Sequence, residues 1–277
     1  MSSKENATAL LYIVPSLAGV AAFYAIPFVM SLGYATSDSD GGFVGIANFI
    51  SLFNNDSFRL AAGNTLKFMT AAIPLNIALP LFIACLLFNM KRGIWLKTVF
   101  MSPLIIPTAC TAFFIQSLFM PNGLLSRMLD VNTDWLKTNH SFAIAAGVYL
   151  WKNMGYNLVL AFAGLANIPK DYYEWSAAEG MGRMRMFFRI TLVYMVPALF
   201  VMFVMSFIGS FKVYRELYML AGNYPNEKIY MLQHYMNNQF AALDYQNLTA
   251  AAFVITLVIA AFMTAFLIID KKASFGE

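Results

Sequence analysis

Charge is scarce in this chain: 12% of its 277 residues are Asp, Glu, Lys or Arg, against roughly 25% in an ordinary soluble domain. A water-soluble globular protein is therefore excluded. There are only two cysteines, Cys85 and Cys110, and both lie inside apolar runs, which excludes a disulfide scaffold and suits packing as small hydrophobes. Glycine has no period and apolar content is high, so neither a collagen-like repeat nor a disordered segment fits. The net charge of +4 comes from basic residues that form no long run and no aromatic-interleaved patch, so nucleic acid is not an expected partner. What is present is apolar surface: 60% hydrophobic residues and a mean hydropathy of +0.64. That balance belongs to a membrane protein.

A transmembrane helix needs roughly 20 predominantly apolar residues. Between charged side chains the sequence leaves the intervals 6–37, 68–90, 98–126, 153–169, 190–211 and 245–269. Only the fourth falls short, because Lys152 interrupts it, and residues 141–165 are otherwise apolar enough to span. Six helices are predicted, near 8–34, 62–89, 95–120, 141–165, 190–211 and 247–269. The uninterrupted apolar runs lack the alternation of barrel strands. The first span is longer than a signal-peptide core and is expected to be retained. With the N-terminus inside, ten Lys and Arg residues fall on the inner side (Lys4, Lys91, Arg92, Lys97, Lys170, Arg183, Arg185, Arg189, Lys271 and Lys272). Six fall outside: Arg59, Arg127, Lys137, Lys212, Arg215 and Lys228. Both termini are expected in the cytoplasm. Prolines at 15, 27, 74, 80, 103, 107 and 197 put bends in several spans. They serve either as packing kinks or as the joints of helices that rock around a central cavity.

The stretch Ile168–Gly182 is unusual for following a span with no Ser/Gly linker. It reads as a short helix: Asn167 as cap, Pro169 in the first turn, Asp171 and Glu174 toward the positive end, and Gly180 as the left-handed residue that stops it. Arg183, Arg185 and Arg189, interleaved with Met184, Met186, Phe187 and Phe188, then lead into the fifth span. Two roles remain open on composition: a solvated turn anchored at lipid headgroups, or a rigid docking element that passes motion of a cytosolic partner to the spans.

Glu174-Trp175-Ser176, with Gly180, Ile190 and Leu192 at the matching spacing, resembles the EAA loop of the integral membrane subunits of binding-protein-dependent ABC importers. Trp175 and Ser176 replace the usual alanines and Val193 the usual proline. The resemblance extends over about residues 43–269 and is to the carbohydrate branch, the maltose and glycerol-phosphate type permeases. It is carried by Gly45-Ile46-Ala47-Asn48-Phe49, Asn64-Thr65, Trp151-Lys152-Asn153-Met154-Gly155-Tyr156-Asn157, Ala163-Gly164-Leu165, Ile168-Pro169-Lys170, Phe211-Lys212-Val213-Tyr214 and Leu217-Tyr218. The resemblance implies an all-α polytopic membrane protein of type I ABC importer fold, with six transmembrane helices and a cytoplasmic coupling helix. Residues 1–60 would hold the first span and an outer loop, 61–269 the five-helix transport domain, and 270–277 a cytoplasmic tail. It also implies Glu174, Trp175, Ser176, Ala177, Gly180 and Ile190 as residues that couple to the ATPase. The implied partners are a second six-helix permease, homologous or identical, two cytosolic ATPase subunits and an extracellular solute-binding protein, in a bacterial or archaeal cell membrane.

No G-x-x-x-x-G-K-[ST] loop, metal-ligand spacing, G-x-S-x-G or H-E-x-x-H occurs in the sequence, and His140 and His234 stand apart in outer loops. The chain is not expected to be an enzyme or to carry a cofactor, with ATP and Mg held by the partner ATPase. A secondary carrier would need acidic or His residues well inside the spans, and none is expected there. The charged exceptions are Lys67, near the end of the second span, and Lys152, midway along the fourth. On a helix Tyr149, Asn153, Tyr156 and Leu160 share a face with Asn157 one turn on. Tyr149, Lys152, Asn153, Tyr156 and Asn157 are therefore either part of a sugar path, with amides and rings against a polyhydroxylated solute, or an interhelical hydrogen-bonded seam. Asn76, Gln116, Ser206 and Ser210 are weaker candidates for the same choice. Lys212, Arg215 and Glu216 are placed at the outer end of the fifth span, where an extracellular protein could dock. The alternative function is an ion-coupled carrier or channel for a small polar solute.

Overall fold

The computed structural model describes residues 3–88, 90 and 94–274, so Lys91 and Arg92 of the inner basic set lie outside the described residues. Among the described residues the chain is helical, with one isolated bridge between Ser37 and Phe43 in place of any sheet. The order is α1 (Ser3–Val20), a π turn (Ala21–Ala25), α2 (Ile26–Ala35), α3 (Ala47–Asn54), α4 (Asp56–Leu87) and α5 (Ile94–Met101). A 3-10 turn (Ser102–Leu104) then leads to α6 (Thr108–Phe119), α7 (Leu124–Met128), α8 (Ser141–Ala166), α9 (Lys170–Ala178) and α10 (Arg183–Met186). After a second π turn (Phe187–Thr191) come α11 (Leu192–Tyr194), α12 (Val196–Lys212), α13 (Tyr214–Ala221), α14 (Leu232–Ala241) and α15 (Tyr245–Ser274).

Among the described residues, four helical stretches are long and apolar enough to cross a membrane: Tyr12–Ala35, Asp56–Leu87, Val196–Ala221 and Tyr245–Thr264. The third predicted span departs from a single helix. Thr98–Leu104 and Thr108–Met128 meet at 106°, because Pro107 donates no backbone N–H and disfavours helical geometry at the residue before it. The fifth departs too. It is interrupted at Met195, ahead of Pro197, and continues past Lys212 to Ala221 after a break at Val213. At 26 residues, α8 is about 39 Å long, enough to span, but Lys152, Asn153 and Asn157 interrupt its apolar surface.

The chain divides into two compact units, Met1–Arg59 with Tyr235–Glu277, and Leu60–His234. In the first, α2 and α3 pack on α15, with the Phe28 and Phe253 rings 4.8 Å apart. Asn48 Nδ2 donates to the carbonyls of Ala35 and Ser37 at 3.1 and 2.8 Å, which fixes the loop between α2 and α3.

In the second unit α8 is the central element, packing on α12 and on α5 with its 3-10 extension. Glycine makes this possible. A Cβ on Gly155 would collide with the Phe100 carbonyl oxygen and lie 2.9 Å from Met101 Cα, and one on Gly164 would lie 2.7 Å from Ala198 Cβ. Gly147, on the same helix, has open space where its Cβ would go. Gly155→Ala is therefore expected to cost about 2 kcal/mol, since backbone atoms must move. Gly147→Ala should be neutral, or stabilising by up to about 1 kcal/mol from helix propensity. Thermal unfolding of the detergent-solubilised variants checks this, and equal melting temperatures for the two would contradict the close packing.

Candidate functional site

The first candidate site is α9. It begins two residues later than predicted: Pro169 is the N-cap residue, and Asn167 closes α8 instead of capping α9. Asp171 sits in the first turn, where the helix dipole favours a carboxylate. At the other end Gly180 has φ +74°. Its N–H reaches the Ala177 carbonyl at 3.0 Å while Met181 N–H reaches that of Ser176 at 2.9 Å. These two bonds form a Schellman stop, which requires the left-handed residue that glycine supplies.

The helix has two faces. Inward, Ser176 is buried and donates to the Tyr172 carbonyl at 2.7 Å, and Tyr173 shares a 3.0 Å hydroxyl bond with Thr191 of the π turn that opens the fifth span. Tyr172 lies 4.9 Å from the Tyr194 ring. Ile190 is buried in the same apolar cluster as Leu165 and Ile168, with Tyr173 packed against it. Outward, Asp171, Glu174, Trp175 and Ala178 recur at i, i+3, i+4 and i+7, all exposed, and the Trp175 side chain is 68% exposed. Of the six residues that the resemblance implies, the structure thus places Glu174, Trp175, Ala177 and Gly180 at the surface, and Ser176 and Ile190 in the packing that ties α9 to the fifth span.

The second candidate is a polar seam within the second unit. Asn76 of α4 donates to Ser206 Oγ at 3.0 Å and to Tyr149 Oη at 3.3 Å. Tyr149 Oη donates to the Ser206 carbonyl at 2.6 Å, and Asn157 donates to the Asn76 carbonyl and to Ser206 Oγ at 2.6 and 2.8 Å. Tyr149 and Asn157 are each 1% exposed. Four side chains on three helices bond to one another, as an apolar environment favours for buried polar groups, while Asn76 Oδ1 stays buried without a partner among the described residues. Next to this seam Tyr149, Lys152 and Asn153 line a cavity of about 340 Å³, with Thr108, Gly209, Lys212, Arg215 and Glu216 among its other walls. Lys152 Nζ forms an ion pair with Glu216 and meets Thr108 Oγ1 at 3.0 Å. The two charged side chains are 19% and 7% exposed.

The predicted stripe on α8 is therefore divided. Tyr149 and Asn157 belong to the seam, Lys152 and Asn153 face the cavity, and Tyr156 is largely exposed and lines neither. Asn76 and Ser206 join the seam, while Ser210 bonds the Phe207 carbonyl of its own helix and Gln116 reaches the Met219 carbonyl. The expectation that no acidic side chain lies well inside the spans needs correction, because Glu216 is buried in the helix that carries the fifth span to Ala221. The charges at Lys212 and Arg215 had marked the end of that span too early. A lysine midway along an apolar helix was the available clue, since such a charge calls for an acid within reach. His234 lies in α14. It is buried against Tyr214 and Tyr230, accepts the Met231 N–H at Nδ1 at 3.2 Å, and burial pushes its pKa down to about 4. Among the described residues no three His, Cys, Asp or Glu side chains gather to hold a metal ion.

Comparison with known proteins connects this geometry to a family. Residues 76–273 match the family described as "Binding-protein-dependent transport system inner membrane component". The chain is 26% identical over 276 residues to the arabinooligosaccharides transport system permease protein AraP of Bacillus subtilis (strain 168), covering 92% of this chain and 85% of that protein. It is 30% identical over 213 residues to the sn-glycerol-3-phosphate transport system permease protein UgpA of Escherichia coli O6:K15:H31 (strain 536 / UPEC), covering 74% and 69%. A chain in the crystal structure of a bacterial ABC transporter involved in import of the acidic polysaccharide alginate superposes with a TM-score of 0.81 at 20% identity, covering 98% of this chain and 96% of that one. A chain of the bacterial alginate ABC transporter in complex with an alginate pentasaccharide-bound periplasmic protein gives a TM-score of 0.80 at 19% identity, covering 95% and 93%. These superpositions establish the type I importer transmembrane fold. The match over most of the chain makes this protein a multi-pass membrane protein of the binding-protein-dependent transport system inner membrane component family.

Proposed function

We propose that this chain is one half of the translocation pathway of an ATP-driven importer for a sugar or sugar-like solute, working by alternating access. The observation that carries the reading is α9: a nine-residue helix with an acidic and aromatic outer face, stopped by Gly180 and bonded through Tyr173 to the start of the fifth span. A helix held that way moves as a rigid lever. With no phosphate-binding loop in this sequence, ATP and Mg belong to two cytosolic ATPase subunits that receive the face of Glu174, Trp175 and Ala177. Closure of those subunits on ATP draws the levers together and turns the cavity outward; hydrolysis resets it.

The excess of Lys and Arg on the side of α9 puts that helix and both termini in the cytoplasm. A second, homologous permease completes the pathway and an extracellular solute-binding protein delivers the solute. The names of the relatives, for arabinooligosaccharides and glycerol phosphate, favour a carbohydrate or polyol-type cargo. Proteoliposomes holding the co-purified complex test this with labelled arabinose oligosaccharides and glycerol 3-phosphate plus the binding protein. Uptake is expected with ATP supplied on the α9 side and no ion gradient. Uptake driven by a proton or sodium gradient without ATP would establish the carrier reading instead.

A further inference from the structure

The cavity beside α8 has a charge pattern that the transport cycle leaves unused. Three cations, Lys152, Lys212 and Arg215, face one carboxylate, Glu216. That carboxylate is already committed to Lys152, whose ammonium is further held by Thr108. Neither Lys212 nor Arg215 has an acidic partner among the described residues. Exposed cations usually need none, but these two share a concave wall with low-dielectric neighbours from the 104–107 segment, an arrangement that focuses positive potential on the space between them.

The same wall offers hydrogen bonds. Asn153 donates through Nδ2 to the Tyr149 carbonyl at 2.8 Å, so its Oδ1 points elsewhere. That oxygen lies on the Gly209 side of α8, where an added Cβ on Gly209 would stand 2.9 Å from it. The amide oxygen is thus an acceptor for a hydroxyl, beside two cations suited to an anion, in a volume of about 340 Å³ at the small end of ligand pockets.

We infer that this cavity takes a carbohydrate bearing an anionic group, a carboxylate or a phosphate. The anion lies at Lys212 and Arg215, and a sugar hydroxyl donates to Asn153 Oδ1. The guanidinium fork of Arg215 matches either anion with two parallel bonds. Lys152, neutralised by Glu216, positions the wall and is not the primary anion ligand. This inference rests on the importer reading for its physiological meaning and narrows its cargo from any sugar to an acidic one.

The test is equilibrium binding without ATP. The complex in nanodiscs is offered labelled glucuronate, glucose 6-phosphate, glucose and inorganic phosphate, and is compared with the double variant Lys212→Gln/Arg215→Gln. Charge-assisted hydrogen bonds predict that an acidic sugar is held about 10- to 100-fold more tightly than glucose, and that the double variant removes that margin while leaving glucose unchanged. Preference for glucuronate assigns a carboxylate; preference for glucose 6-phosphate assigns a phosphate. Three results would each overturn the inference: inorganic phosphate bound as tightly as the sugars, neither acidic sugar held better than glucose, or an unaltered margin in the variant. Because ATP is absent, gradient-driven uptake would sink the importer reading and leave this binding result standing. ATP-driven uptake with indifferent binding would do the reverse.

Discussion

Glu216→Ala is expected to destabilise the protein by about 1–3 kcal/mol, because it removes the counter-ion of Lys152, a half-buried charge on the cavity wall, and leaves it only Thr108. The pair joins α8 to α13, and Thr108 brings in the first turn of α6, just beyond the break in the third span. Three elements thus depend on one carboxylate. Lys152→Met is expected to be destabilising as well, since it leaves Glu216 without its counter-ion. The double variant Lys152→Met/Glu216→Leu should regain most of the loss: replacing both members of a buried pair by apolar groups of similar volume is often neutral or stabilising. Thermal unfolding of the wild type, Lys152→Met, Glu216→Leu and the double variant in the same detergent closes a double-mutant cycle, with Glu216→Ala measured beside it. If Glu216→Ala melts with the wild type, or the double variant is no better than the singles, the pair is not a structural element of this unit.

The second large effect is expected at α9. Glu174→Lys reverses a charge on its exposed face without touching the packing of Tyr173, Ser176 or Ile190, so folding and membrane insertion should be unchanged. Uptake, in contrast, should fall to background, along with recovery of the ATPase in a pull-down. Gly180→Pro acts through the backbone. Proline cannot adopt φ +74°, and it has no N–H for the Ala177 carbonyl, so the Schellman stop is lost and the helix no longer ends at a fixed angle. Gly180→Ala keeps the N–H and bears only the strain of a left-handed residue, roughly 1–2 kcal/mol. It should therefore retain part of the transport that Gly180→Pro abolishes. Full transport in both Glu174→Lys and Gly180→Pro would exclude a coupling role for this helix.

These two sites were legible in the sequence to different degrees. The α9 helix could be read almost whole, because its start and stop are local matters: proline fixes where the chain can enter, the Asp171 carboxylate suits the first turn, and glycine at position 180 permits a φ that other residues resist. Its two faces also follow from spacing. That Tyr173 finds Thr191 was not readable, since nothing in the separation of eighteen residues specifies which side chain returns. The polar stripe on α8 shows the same limit more sharply. Periodicity placed Tyr149, Asn153 and Asn157 along one side, but whether that side faced a cavity or a neighbouring helix depended on Asn76 and Ser206, which lie 81 and 49 residues from Asn157.

The sequence alone determined that this is a multi-span membrane helix protein, where most of the spans lie, and where a short helix is inserted between two of them. Apolar run length, proline and glycine are properties of the chain itself and need no partner to act. Only the tertiary structure decided that the third span is broken at 106°, that the fifth extends far enough to bury Glu216, and that this carboxylate neutralises Lys152. A buried charge is stable only where its counter-charge arrives from another helix, and that arrival is settled by packing across the fold.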